Sequence, residues 1–134
     1  MEDMLPETEQ GRSQAVGIAS ENSMWNSLGV LLMEHKGQDV SVLDLRGICD
    51  WIDFFVIATV SSNAHMDGLE RHIMEFCREN GFEVLRKSRK SESGDDEWRL
   101  IDLGSMFIHL MTKSARSFYD LERLYRPTAH SEAV

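Results

Sequence analysis

The chain has 134 residues and a mass of 15.4 kDa, the size of one domain. Its 42% hydrophobic and 28% charged residues are typical of a globular protein and exclude a collagen, a coiled coil or a wholly disordered chain. Acidic residues outnumber basic ones by 23 to 14, which gives a net charge of −9. This charge disfavours nucleic acid as the main ligand and suits a basic protein partner, because opposite fields steer encounter.

The cysteine count and the length of the apolar runs predict the cellular location of the protein. Cys49 and Cys77 are too few and too far apart for a disulfide framework or a zinc knuckle, and we interpret both as buried thiols in a reducing compartment. The longest apolar stretch, 54–60, is far shorter than the ~20 residues of a membrane helix. The N-terminus resembles neither a secretory signal nor a basic transit peptide. Together these features predict a cytoplasmic protein that makes no membrane contact.

The N-terminal residues 1–20 are acidic and lack a sustained apolar period, which predicts a disordered tail. We expect one domain over 21–126 and a short frayed tail over 127–134. The domain opens with a helix over about 21–36, in which apolar residues recur at helical spacing until Gly37 ends it.

Two strands and a second helix are predicted next. Residues 40–45 and 54–59 are nearly continuous in apolar character, so we expect both strands to be buried on both faces of a sheet. Capping oxygens at 61–63 favour a helix over about 64–80, which Gly81 ends in a left-handed conformation.

The C-terminal half predicts three more strands and a helix. A third strand is expected over 82–85, followed by a polar, mobile loop over 86–97. The strands 98–103 and 106–111 flank a Gly-Ser turn, which makes them an antiparallel hairpin. The last helix is predicted over 115–125, ending before Pro127. It carries one apolar stripe, with a tyrosine beside it whose hydroxyl reaches water: Phe118, Leu121 and Tyr125, with Tyr119 beside them.

This order of elements predicts an α/β fold, a single domain with a mixed five-stranded sheet and flanking helices. Both strands of the hairpin are apolar on both faces, and few helices are available to cover them. Some apolar area can therefore be left for a partner, with Trp98 as either an interface anchor or an ordinary core residue.

Catalytic and metal-binding patterns are weak in this sequence. The Gly104-Ser105 pair resembles the opening of nucleotide-transfer sites, but no Asp-x-Asp pair is present to hold Mg²⁺, so a hairpin turn is favoured. His65 and His72 lie about 10 Å apart along a helix, too far to share one ion. Ser105 and His109 are separated by ~13 Å on a strand, which excludes a nucleophilic triad with Asp102. No metal or cofactor is predicted.

A basic run within 86–90 is cancelled by the acidic residues that follow it, so a solvated loop is favoured over a minor contact with RNA phosphate.

Four blocks of residues, in order, resemble the Iojap family, the ribosomal silencing factors called RsfS. They are Val42-Leu43-Asp44-Leu45-Arg46-Gly47 with Asp53-Phe54-Phe55-Val56-Ile57-Ala58-Thr59, then Ser61-Ser62-Asn63-Ala64-His65, then Trp98-Arg99-Leu100-Ile101-Asp102-Leu103-Gly104 with His109, and finally Arg116-Ser117-Phe118-Tyr119-Asp120-Leu121-Glu122-Arg123-Leu124. The spacing agrees from about residue 24 to residue 125.

The resemblance implies a fold similar to nucleotidyltransferases but without their catalytic residues, and a regulator rather than an enzyme. It implies binding to the large ribosomal subunit through ribosomal protein L-fourteen, steric blocking of subunit joining, and repression of translation when nutrients are scarce. A homodimer through the sheet region and a nucleotide-binding or nucleotide-transferring enzyme are left open. The contact residues carried over by the resemblance are Trp98, Asp102, His109, Arg116, Tyr119, Asp120 and Glu122.

Overall fold

The computed structural model describes residues 24–89 and 91–125. The expected tails at 1–20 and 127–134, and the first residues of the expected first helix, lie outside the described residues. The elements in chain order are α1 (Met24–Glu34), β1 (Gln38–Asp44), β2 (Phe54–Val60), α2 (Asn63–Asn80), β3 (Arg86–Lys87), β4 (Trp98–Asp102), β5 (Met106–Thr112), α3 (Lys113–Tyr119) and α4 (Leu121–Tyr125).

The strands form one mixed sheet in the order β1-β2-β5-β4-β3. Only β2 and β5 pair in parallel; the other neighbours are antiparallel, including the predicted β4–β5 hairpin. Every residue of β2 is buried, as its continuous apolar run predicted for a central strand. The predicted α/β class and five-stranded mixed sheet are confirmed.

The first face of the sheet is covered by α1 and α2. Side chains alternate along a strand, so Val56 and Ala58 of β2 point to these helices together with Ile108 of β5. Leu28 of α1 and Ile73 of α2 close the same core. Helix α2 begins as predicted, because the Ser62 side chain accepts a hydrogen bond from the His65 backbone N–H, and it ends at Gly81 with φ 76°.

The second face is covered less completely. Its buried cluster contains Phe55 and Ile57 of β2, Met111 of β5 and Ala115 of α3. The connection between β1 and β2 contributes Leu45 and Ile52 to this cluster.

The two cysteines differ in their surroundings. Cys77 is buried in the first core, and burial raises the pKa of its thiol. The prediction of burial is wrong for Cys49, which is only half-buried because it lies in the β1–β2 connection at the margin of the second face.

Strand β1 is not buried on both faces, contrary to the prediction. It lies at the edge of the sheet and pairs only with β2, and its ends, Gln38, Asp39 and Asp44, are exposed. Apolar residues in the middle of an edge strand can be half-covered by one helix, here α1, without being central.

The third strand is displaced along the chain. Residues 82–85 form no strand, because Phe82 donates its backbone N–H to the Cys77 carbonyl and so still belongs to the end of α2. The strand is instead the dipeptide Arg86–Lys87, inside the segment predicted as a mobile loop. The next residue, Ser88, exchanges hydrogen bonds with the backbone of Leu100, which fixes the start of the remaining loop.

The loop that remains is tied down by a buried arginine. Arg99 is 1% exposed and points to the α2 side of the sheet. Its guanidinium donates to Asp67 and Glu70 of α2 and to Asp96 of the loop. Burial alone would lower the pKa of Arg99, but these three carboxylates raise it, and hydrogen bonds from Ser91 and Arg99 lower the pKa of Asp96.

The last predicted helix is two helices. Asp120 adopts φ 32° and ends α3 by donating its backbone N–H to the Arg116 carbonyl. Its carboxylate then accepts the backbone N–H of Arg123, so it also caps α4. This break removes the single apolar stripe expected over 115–125 and leaves Phe118 79% exposed.

Candidate docking surface

A line of aromatic rings crosses the second face of the sheet. We call it the aromatic stripe and define it as Trp51, Phe107, His109, Trp98, Tyr119 and Phe118. Successive ring centroids lie 5.7, 6.3, 5.8, 4.8 and 4.8 Å apart along this line. The buried Phe55 ring lies beneath the middle of the stripe, 4.5 Å from the His109 ring.

The two ends of the stripe are exposed and its middle is partly buried. Phe118, Trp51 and Tyr119 are 79%, 60% and 48% exposed, whereas His109 is 4% exposed. Trp98 and Phe107 are half-buried. Aromatic rings at such exposure are costly in water and are enriched in protein interfaces, where their truncation often has the largest effects on affinity.

Local structure explains how the stripe forms. The β4–β5 register places Trp98 opposite Met111 and Leu100 opposite His109, so Trp98 and His109 are diagonal neighbours on one face. On the helical side, Asp120 ends α3 immediately after Phe118 and Tyr119, which leaves both rings at the end of the helix beside Trp98.

His109 is held neutral within the stripe. The Trp98 indole N–H donates to Nδ1 of His109 at 3.0 Å, and since an indole can only donate, this nitrogen carries no proton. The proton of the neutral ring is therefore on Nε2, which is buried and has no partner within the described part of the chain. Burial lowers the pKa of His109 to about 4.

Arg116 and Glu122 hold the C-terminal helices against the sheet. The Arg116 guanidinium donates to the hydroxyls of Thr59 and Ser41 and to the Glu122 carboxylate at 3.0, 3.2 and 2.7 Å. Ser41 also donates to the Glu122 carboxylate. This clamp joins α3 and α4 to β1 and β2 and so fixes the helix end that carries Phe118 and Tyr119.

Asp102 has an internal role in the β4–β5 turn. One carboxylate oxygen accepts the Gly104 backbone N–H at 2.8 Å, and the other accepts from the Arg86 guanidinium. Gly104 has φ 96°, so the interpretation of Gly104-Ser105 as a hairpin turn is confirmed.

The seven residues expected to contact a partner therefore occupy different places. Trp98, His109 and Tyr119 come together in the aromatic stripe, and of these three only Trp98 and Tyr119 offer surface. The other four make internal contacts: Asp102, Arg116, Asp120 and Glu122.

Sequence reasoning missed Trp51, Phe107 and Phe118 as surface residues. Trp51 had a usable signal, because it lies in a short connection with the exposed Asp50 on one side and Asp53 close on the other. Phe118 had none, because its exposure depends on the break at Asp120.

Exposed carboxylates accompany the stripe. Asp50 precedes Trp51, Glu97 precedes Trp98 and Asp120 follows Tyr119, and all three acidic residues are exposed. Aromatic anchors with an acidic rim suit a basic protein surface.

The described residues contain no group of three or more His, Cys, Asp and Glu side chains that could hold a metal ion. The His65 ring instead accepts the Ser61 backbone N–H at Nδ1 and contacts the His35 carbonyl with Nε2, while His72 stacks on His35 with centroids 3.6 Å apart. In the same ranges, 24–89 and 91–125, no helix is long and apolar enough to cross a membrane.

An α/β domain that presents exposed aromatic rings beside exposed carboxylates has the features of a binding domain. Comparison with known proteins specifies which kind. Residues 19–133 match the family model described as "Ribosomal silencing factor during starvation". The chain is 34% identical to the ribosomal silencing factor RsfS of Treponema pallidum, over 80% of this chain and 94% of that one. It is 33% identical to that of Bacillus subtilis, over 69% and 75% of the two chains.

A solved structure agrees with these matches. A crystal structure of a protein from Chromobacterium violaceum superposes with a TM-score of 0.68 at 28% identity, covering 79% of this chain and 87% of that one. The chain belongs to the RsfS family of ribosomal silencing factors, as the sequence resemblance indicated.

Proposed function

We propose that this protein binds the large ribosomal subunit through ribosomal protein L-fourteen, with the aromatic stripe as the docking surface. Bound there, it sterically blocks joining of the small subunit and represses translation in the cytoplasm under nutrient limitation. The mechanism is competition for a surface, so no covalent step is required. The observation that carries the proposal is the stripe itself, which supplies exposed anchors on the less covered face of the sheet.

The exposed members of the stripe supply the affinity in this proposal. Phe118, Trp51 and Tyr119 lie along the stripe on either side of the half-buried Trp98 and can each lose their remaining contact with water on docking. Truncation of a central aromatic anchor typically costs about 2 kcal/mol or more, which is a loss of roughly 30-fold in affinity.

Charge supports the choice of a protein partner over RNA. The net charge of −9 and the carboxylates beside the stripe favour a basic protein and repel phosphate. Two residues of the basic run are already paired, Arg86 with Asp102 and Lys87 with Glu70. A contact with ribosomal RNA is therefore minor in this proposal.

The predicted contact residues have two roles in this proposal. Trp98 and Tyr119 touch the partner directly. The remaining five support the surface through the internal contacts described above: Asp102, His109, Arg116, Asp120 and Glu122.

The first experiment is pull-down of purified L-fourteen by the full chain. Phe118→Glu places a charge on the most exposed ring without disturbing buried packing, and Trp98→Glu places one at the half-buried centre of the stripe. Met33→Glu is the matched control, because Met33 is a 56% exposed apolar residue of α1, on the other side of the sheet.

We expect capture by the wild type and by Met33→Glu, and loss of about 30-fold or more in both stripe variants. Equal capture by all four proteins would remove the stripe from the interface, and no capture by the wild type would remove L-fourteen as the partner. A homodimer through the same face stays a prediction, and size-exclusion chromatography of the same variants tests it, because Phe118→Glu should shift a dimer to the monomer.

A further inference from the structure

His109 combines burial with an unpaired polar group. It is 4% exposed, so it cannot contribute appreciable surface to a partner. Its Nε2–H has no acceptor within the residues the structure describes, and it lies among the rings of Phe55, Phe107 and Trp98. An apolar residue would fill this place without the cost of an unsatisfied buried donor. Packing alone does not account for a histidine here.

His109 contributes a directed hydrogen bond to Trp98, the half-buried anchor of the stripe. Within the described residues, the one hydrogen bond of its side chain is that which Nδ1 accepts from the Trp98 indole, at 3.0 Å. Trp98 stands on β4, which has only the two-residue β3 on its outer side, so the strands alone leave its ring several rotamers. The bond to His109 on one side and the Tyr119 ring at 4.8 Å on the other select one of them.

We infer that His109 is a positioning residue: it fixes the Trp98 indole in the orientation in which Trp98 docks, and it does not itself touch the partner. This inference rests on the proposed function and deepens it. An anchor held in its bound orientation loses less rotamer freedom on association, which raises affinity without adding a contact. Burial of His109 keeps its ring neutral near pH 7, so Nδ1 is free of a proton and can accept the Trp98 hydrogen bond at that pH.

Two substitutions of His109 distinguish a role in positioning Trp98 from a role in packing. His109→Leu removes the acceptor and also the unpaired Nε2–H, so the fold should be as stable as the wild type or more stable. His109→Asn restores an acceptor at the position of Nδ1, but leaves a cavity and a buried amide, so it should be the least stable of the three. If His109 positions Trp98, the wild type and the two variants should therefore rank differently in affinity for L-fourteen than in stability.

The first readout needs no partner. The three tryptophans give three indole N–H resonances in a ¹H–¹⁵N spectrum of the free protein, and the one lost in Trp98→Phe is that of Trp98. We expect the Trp98 indole proton to exchange slowly with water in the wild type and in His109→Asn, and at least about tenfold faster in His109→Leu. Equal exchange in all three proteins would overturn the inference.

The second readout is affinity for L-fourteen, measured at matched folded fraction. His109→Leu should bind about tenfold more weakly than the wild type although its thermal midpoint is not lower, and His109→Asn should recover most of the loss. Affinities that simply follow stability would show His109 to be a packing residue. If the wild type does not bind, the proposed function fails, whereas the indole exchange still reports on whether His109 orients Trp98.

Discussion

The two faces of the central sheet are built from the same strands and are covered to different extents. On the α1–α2 face, Val56, Ala58 and Ile108 are fully buried, and the helices leave no part of β2 or β5 open. On the other face, Phe107 and Trp98 are only half-buried, and a line of rings continues outward to Trp51 and Phe118. Under the proposed function, stability and docking depend on opposite faces, and variants on each face should therefore change different measurements.

The largest expected effect is on the closed face, at Arg99. Arg99→Met leaves the carboxylates of Asp67, Glu70 and Asp96 without their shared cation, which should lower the free energy of unfolding by about 3–5 kcal/mol. The measurement is urea unfolding followed by circular dichroism.

The matched control is Arg71→Met, on the exposed surface of α2, which should change the free energy of unfolding by less than about 0.5 kcal/mol. Similar small changes in both variants would mean that the Arg99 cluster does not stabilise the loop.

A neighbouring pair on β5 compares the two faces directly. Ile108 points to α1 and α2 and is fully buried, so Ile108→Ala should cost about 2–5 kcal/mol of stability. Phe107 points to the stripe and is half-buried, so Phe107→Ala should cost less stability but should weaken binding to L-fourteen by about tenfold.

Both variants are measured by urea unfolding and by binding at matched folded fraction. If Ile108→Ala weakened binding of the folded protein as much as Phe107→Ala, the division between the faces would be contradicted.

Much of this fold follows from local patterns. The apolar run of β2, the cap at the start of α2 and the Gly104 turn are local signals, and the sequence predicts all three. The edge position of β1 was missed because an apolar strand looks the same in sequence whether one or two neighbours pair with it. The displaced β3 was missed because two residues carry no periodicity.

The candidate site was less predictable than the fold. Arg116 and Glu122 are six residues apart, and only the folded chain shows that they meet Ser41 and Thr59 in one clamp. The exposure of Phe118 depends on the left-handed backbone at Asp120. A single aspartate in the sequence does not predict that conformation. The adjacency of Trp98 and His109 follows from the β4–β5 register, which the hairpin turn sets.

A pH-dependent loss of stability is expected from His109. Its pKa is lowered to about 4 in the folded state from 6.5, so the unfolded chain binds a proton before the folded one does. Stability from this group is therefore complete above pH 6.5 and is lost as the pH falls through 4, by about 3 kcal/mol in total.

The measurement is the free energy of unfolding at several pH values between 7 and 4.5, for the wild type and for His109→Leu. The free energy of unfolding of His109→Leu should therefore fall less steeply with decreasing pH than that of the wild type. Two carboxylates have a lowered pKa, Asp44 beside Arg46 and Asp96 beside Ser91 and Arg99. They contribute only at lower pH, since the ordinary pKa of an aspartate is already 3.8. Parallel curves for the two proteins would contradict a buried neutral His109.

The most direct test of the account is subunit joining in the presence of this protein. Purified small and large ribosomal subunits are mixed under conditions that favour association, with an excess of wild type, of Phe118→Glu or of Met33→Glu, and the couples are separated on a sucrose gradient. The account predicts that the wild type and Met33→Glu sharply reduce the fraction of joined ribosomes, whereas Phe118→Glu leaves it nearly unchanged. Undisturbed joining with the wild type in excess would contradict the account.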